Sequence, residues 1–274
     1  MVAPIYIIAA ALGVAFLLGI VKRLGSTVSE WVMWLTLAFM TFASAQWLSG
    51  FLTGNVTEKV IYTAGFKPPF SINLVMGQSE AFFTTLVNLA GLLGGLFLWK
   101  RLKELGVHSM IVFLLLFMGL NVVVMTRDIF NLFVFLEISS VAIVGLVLLQ
   151  RDVKALSAGF KYLMATGVIS GLMLIGIIFA YQYTGSLYID DMIGSNITAM
   201  RGGIVAAFLI LIAVALELKP FPANGWALDV YQGAHPGLAA LISAAFASAM
   251  VFVLYKLMPL AGADWQTIFA TIGA

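Results

Sequence analysis

From Ile204 to Leu216 the chain carries no charge at all, and it then meets Glu217-Leu218-Lys219-Pro220-Phe221-Pro222. An uncharged apolar run reads as a membrane-spanning helix, and a charge inside one costs several kcal/mol unless it is paired or hydrated. Proline removes a backbone donor and clashes one turn back, so Pro220 and Pro222 are expected to break this helix. Broken helices with ionisable groups at depth are a way of building ion sites inside a bilayer. Ion movement is therefore the first expectation, and the other charges are judged by whether they can serve it.

The rest of the chain agrees with a bilayer. It is 62% hydrophobic and 9% charged over 274 residues, with a mean hydropathy of +1.09, which predicts an all-α polytopic membrane protein. The absence of cysteine excludes disulfides, thiol catalysis and cysteine-ligated clusters. Two distant histidines are too few for a metal site, no haem or cluster pattern supports electron transfer, and a net charge of +2 implies no nucleic-acid partner. Neither a cofactor nor a catalytic site within this chain is expected. Met1 to Ile20 lacks a basic start, so it reads as a first span rather than a cleavable signal.

Eight spans of about 20 residues each are expected, near 4–21, 31–51, 81–99, 107–125, 129–149, 158–181, 202–228 (broken) and 236–257. Lys22/Arg23, Lys100/Arg101/Lys103 and Arg151/Lys154 all fall in connections on one face. Positive charge stays in the cytoplasm, which puts both termini outside the cytoplasmic membrane of a prokaryote. The connection 52–80 is expected to form an external hairpin or loop, and 186–196 a short surface helix. The Asn196-Ile197-Thr198 sequon reads as accidental. No linker divides the chain, so 1–274 is expected to be one membrane domain: helices one to three in 1–106, a repeat in 107–258, and a tail, 259–274, too short to cross.

Four charges lie inside or beside the spans. Glu137 is a third of the way along the fifth, Lys161 one turn into the sixth, and Glu217 and Lys219 flank the break. Two residues correspond to about 200° of helical rotation, so only unwinding lets Glu217 and Lys219 face one partner. Glu137 and Lys219 are expected side by side, with Glu217 meeting Lys161 or Lys219, or lining a wet cavity. The plain alternatives are a structural salt bridge for Glu137 and Lys219, and a snorkelling side chain for Lys161. Glu30 and Glu80 stand at helix starts, where an acid complements the dipole. His108 is expected in solvent. His235, beside Pro236, is a candidate relay.

Several stretches now carry a resemblance. Gly65-Phe66-Lys67-Pro68-Pro69-Phe70-Ser71-Ile72-Asn73 resembles the hairpin before the third helix of the antiporter-like subunits shared by Mrp-type sodium/proton antiporters, respiratory complex I and membrane-bound hydrogenases. Arg127-Asp128-Ile129-Phe130-Asn131-Leu132-Phe133 through Glu137 is similar to their fifth-helix motif, and Phe160-Lys161-Tyr162-Leu163 to the start of their sixth. Lys219-Pro220-Phe221-Pro222 with Trp226-Ala227-Leu228-Asp229 resembles their broken seventh helix, and Ala240 to Ala245 their eighth. The likeness runs from about residue 65 to 258.

The resemblance implies that helices four to eight form one five-helix repeat holding a half-channel for H+ or Na+, with Glu137 its key acid and Lys219 its key base. It implies other membrane subunits as partners, a chain supplying a second, inverted repeat among them, and lipid around them. This sequence departs from the pattern at three places. Ser243 and Ser248 stand where the family carries a protonatable eighth-helix residue; a hydroxyl holds water but stores no proton near pH 7. Gly77 replaces a frequent acid, and Glu217 stands where small residues are usual. Two other readings stay open on the sequence: a copy kept as a spacer without ion throughput, and an autonomous small-solute transporter.

Overall fold

A computed structural model describes residues 1–63, 65–66, 71–150, 152–200, 202–262 and 267. The Lys67-Pro68-Pro69-Phe70 part of the hairpin motif, Arg151, and the tail from Asp264 (Thr267 excepted) lie outside the described residues. The helices in chain order are α1 (Ile5–Val21), α2 (Ser26–Leu52), α3 (Gln78–Leu105), α4 (Val107–Met125), α5 (Ile129–Leu148), α6 (Val153–Thr184), α7 (Ile189–Gly194), α8 (Gly203–Glu217), α9 (Gly225–Gly233), α10 (Pro236–Leu241) and α11 (Ala247–Leu257). Strands β1 (Lys59–Tyr62) and β2 (Asn73–Met76) pair antiparallel between α2 and α3.

Among the described residues six helical stretches are long and apolar enough to cross a bilayer, and the shorter apolar α1 and α8 accompany them. The chain is a polytopic helical membrane protein, and its seventh span is broken as the prolines require. The helices extend past the apolar cores: α2 begins at Ser26 and α3 runs through Lys100, Arg101 and Lys103 to Leu105. The cause is that exposed polar turns at a bilayer margin propagate a helix as readily as apolar ones. A one-residue joint, Gly106 at φ 82°, separates α3 from α4.

α4 is the buried centre, with 72% of its span enclosed by protein. Around it α1, α2, α3 and α5 pack directly, and α6 lies along both α5 and α8. Close approach of α6 to α8 requires Gly176, where a Cβ would stand 3.0 Å from the Ile210 backbone nitrogen; small residues at membrane helix contacts serve this purpose. In the core, Asn88 of α3 and Asn121 of α4 exchange amide hydrogen bonds of 3.0 and 2.8 Å, and Asn88 also donates to Ser44 of α2. Three helices are thereby tied at one level. Asp128 caps α5 by accepting from the Asn131 N–H at 2.7 Å.

Candidate functional site

α8 ends at Glu217, Leu218 caps it, and Lys219 then takes a left-handed backbone at φ 59°. That conformation is strained for a residue with a Cβ. Nothing helical returns until α9 at Gly225. The turn sends the lysine into an aromatic recess: Nζ stands 4.5 Å from the Phe246 ring centroid, 5.6 Å from Trp226 and 6.0 Å from Tyr162. It donates at 2.9 Å to the backbone carbonyl of Glu217.

The expected contact between Glu137 and Lys219 is not formed. Among the described residues no ion pair within 4.0 Å involves either one. The reason is the left-handed turn, which aims Lys219 at the rings, while Glu137 faces Glu217 instead. The two acids line one cavity of about 10 Å3 between α5, α6 and α8, with Ser140 and Ser170 also on its wall. Glu217 is 5% exposed, and its Oε2 is buried without a hydrogen-bond partner. As expected, it avoids the lipid face.

Lys161 does not reach Glu217 or Lys219. It pairs at 2.6 Å with Asp229 of α9, and both side chains are about half exposed. The pair lines an open cavity of about 260 Å3 with Lys154, Ser157 and Gln232. Asp229 belongs to the broken-helix motif, but nothing in the sequence singles it out as a partner. The relay candidates are similarly dispersed. His235 caps α10, its Nδ1 accepting from the Gly237 N–H at 3.2 Å. Ser243 is exposed on a π-helical turn, Ile242–Phe246, which also carries the Phe246 ring under Lys219. Ser248 donates back to Ala244 O.

On the hairpin side the structure adds a lysine that sequence reasoning passed over. Lys256, near the end of α11, is 6% exposed, and its ammonium donates to Val123 O (3.2 Å), Val124 O (3.1 Å) and Thr126 O (2.8 Å). These carbonyls form the end of α4, where the last turn lacks helical partners. Lys256 borders a vestibule of about 650 Å3 with Glu58, Glu80, Arg127 and Asp190. Glu80 accepts from the Gly77 N–H at 3.2 Å at the start of α3 and also pairs with Arg127 at 2.8 Å. Beside the vestibule, burial pushes the Tyr188 phenol above its ordinary range, opposed by the bond it accepts from Asn73. Glu30, read as a helix-start acid, is buried and ties α2 to α3 through Lys103 (3.0 Å) and the Trp99 N–H (3.0 Å).

Residues 126–274, more than half the chain, match the family described as NADH:quinone oxidoreductase/Mrp antiporter, transmembrane. The chain belongs to that family. Its matched region opens at the Thr126 carbonyl held by Lys256 and takes in Glu137, Glu217 and Lys219. NADH-quinone oxidoreductase subunit N of Myxococcus xanthus is 33% identical over 210 residues, covering 70% of this chain and 40% of the relative. The subunit N of Desulforudis audaxviator is 30% identical over 203 residues, covering 72% and 40%. The chain thus spans well under half the length of these relatives.

Among solved structures, the archaeal membrane-bound sulfane sulfur reductase superposes with a TM-score of 0.89 at 27% identity, over 98% of this chain and 56% of that one. The Mrp complex of a Dietzia species gives 0.82 at 22% identity, over 93% and 47%, a likeness of fold. Both are described as complexes, the first as a respiratory membrane complex. The antiporter-like family expected from the five motifs is the one to which the chain belongs.

Proposed function

We propose that this antiporter-like subunit translocates H+ or Na+ within a larger membrane complex, with Lys219 as the group that passes the charge. One observation carries the reading: a lysine at a helix break, on a strained left-handed backbone, held by a single carbonyl and three rings instead of a carboxylate. A cation–π contact contributes up to about 2 kcal/mol when desolvated, and one bond to a charged donor about 1.5–3 kcal/mol. Burying an ammonium costs several kcal/mol. The lysine is therefore poised to move or to give up its charge. Glu217, whose carbonyl holds Lys219 and whose side chain shares a cavity with Glu137, connects the base to the acid that does not touch it.

The Lys154, Lys161 and Asp229 cavity opens from the face that carries the basic connections, which the positive-inside rule assigns to the cytoplasm. The hairpin and both termini then lie outside. The break itself, with Phe221 89% exposed, presents irregular backbone that lipid does not tolerate. We assign its cover to membrane protein, a second antiporter-like repeat that supplies the other half-path. The scaffold reading has one observation in its favour: neither Ser243 nor Ser248 is hydrogen-bonded to Lys219. Vesicles containing the assembled complex separate the two. Lys219→Ala is expected to reduce ion movement to background, and movement at the parental rate establishes the scaffold.

A further inference from the structure

The cavity between Glu137 and Glu217 contains more negative charge than its neighbours answer. Both side chains line it, and the Glu217 Oε2 is buried with no partner. Lys219 spends its hydrogen bond on the Glu217 main-chain carbonyl, not on the carboxylate. Two like charges at close quarters cannot both persist without a proton or a cation. Counting Glu137, Glu217 and Lys219 leaves one negative charge, which one monovalent cation cancels.

The polar residues on its otherwise apolar wall, Glu137, Glu217, Ser140 and Ser170, offer oxygen alone as ligand atoms. Such sets select hard cations. Ser170 donates to Thr166 O at 2.9 Å, which leaves its oxygen lone pairs free to face an ion. Calcium requires six to eight oxygens and magnesium keeps several waters, whereas about 10 Å3 holds roughly one water-sized occupant. A proton neutralises one carboxylate and needs a separate water to fill the cavity; one dehydrated alkali ion does both by itself.

We infer that Glu137 and Glu217, with Ser140 and Ser170, form a binding site for one dehydrated sodium ion between α5, α6 and α8. This rests on the translocation reading and names the ion carried. Glu217 supplies the ligand charge and Lys219 the displacing charge. A lysine moving toward Glu217 competes with the ion for the same carboxylate, so that sodium release and lysine approach are one event.

The test uses the intact complex, purified and freed of sodium, at fixed pH. Radioactive sodium retained at equilibrium is titrated against potassium chloride as competitor, and vesicles from the same preparations report throughput. Wild type is expected to retain sodium saturably, with potassium a poor competitor. Glu217→Gln and Ser140→Ala should each weaken retention, the first by about tenfold or more, since affinity at such sites follows ligand charge. Native mass and thermal unfolding confirm that each variant is assembled. Lys219→Ala is expected to retain sodium while throughput stops. Equal retention in wild type and assembled Glu217→Gln overturns the site. Absent saturable retention with Lys219-dependent throughput intact also overturns it, and makes the carboxylates a proton-sharing pair. Parental throughput in Lys219→Ala defeats the translocation reading, and the retention arm still decides the sodium site by itself.

Discussion

Lys219 and Lys256 both sit among membrane-spanning helices, and their surroundings could hardly differ more. Lys256 sits in an unbroken helical stretch and donates three hydrogen bonds to the carbonyl end of α4. Each bond from a charged donor is worth about 1.5–3 kcal/mol, and the negative end of a helix dipole adds to them. Together these offset the several kcal/mol of burial. Lys219 has one carbonyl and an aromatic recess. The two are separated along the eighth span by Phe246 to Lys256, roughly 15 Å, lined by Met250, Phe252 and Val253, which are buried and apolar. A satisfied lysine holds a fold together; an under-satisfied one can move charge.

The largest expected effect tests that contrast directly. Lys219→Ala should end ion throughput in vesicles yet leave the thermal unfolding midpoint of the complex unchanged or higher, because the side chain it removes is poorly solvated where it stands. If this variant unfolds as readily as a Lys256 variant, the distinction between the two lysines disappears. Lys256→Met should show the reverse. Losing the cap from three α4 carbonyls is expected to cost about 3 kcal/mol or more, read as a lower midpoint, with throughput per folded molecule retained. Throughput lost in the folded fraction makes Lys256 part of the path.

A neutral reference sharpens the comparison. Asn121→Leu breaks the reciprocal amide pair with Asn88 and is expected to cost about 1 kcal/mol, the usual scale for hydrogen bonds between membrane helices. Denaturation in detergent reads it, and a cost as large as that of Lys256→Met means that charge adds nothing to a buried bond here. The smallest stability effect belongs to Lys161→Gln. Its bond to Asp229 is half exposed, so under about 1 kcal/mol is expected. Uptake from the basic-loop side should slow, and unchanged uptake removes Lys161 from the path.

The spans, the broken seventh helix and the family were legible in the sequence because each is a local signal. Apolar run length sets a span, and Pro220 and Pro222 act on their own backbone. The site was legible as a set of residues but not as a set of contacts. Depth, the proline break and the motifs single out Glu137, Glu217 and Lys219, and the pairing of Glu137 with Lys219 follows from treating each as the other's remedy. The left-handed turn at Lys219 decided otherwise. Lys256 was missed because a lysine in the last turn of a span normally snorkels, and nothing in its neighbours along the chain reveals the end of α4, some 130 residues earlier.

What the sequence determined by itself is therefore depth: which segments cross, which charges go in with them, and where the crossing helix must break. Depth follows from hydropathy and proline, which are properties of short stretches. What only the tertiary structure decided is azimuth, the direction in which each buried charge faces. That depends on how α5, α6, α8 and α11 rotate against one another when glycines such as Gly176 let backbones approach. Hydropathy cannot register that rotation, and it is the rotation that puts Glu137 opposite Glu217, Lys161 on Asp229 and Lys256 on the carbonyls of α4.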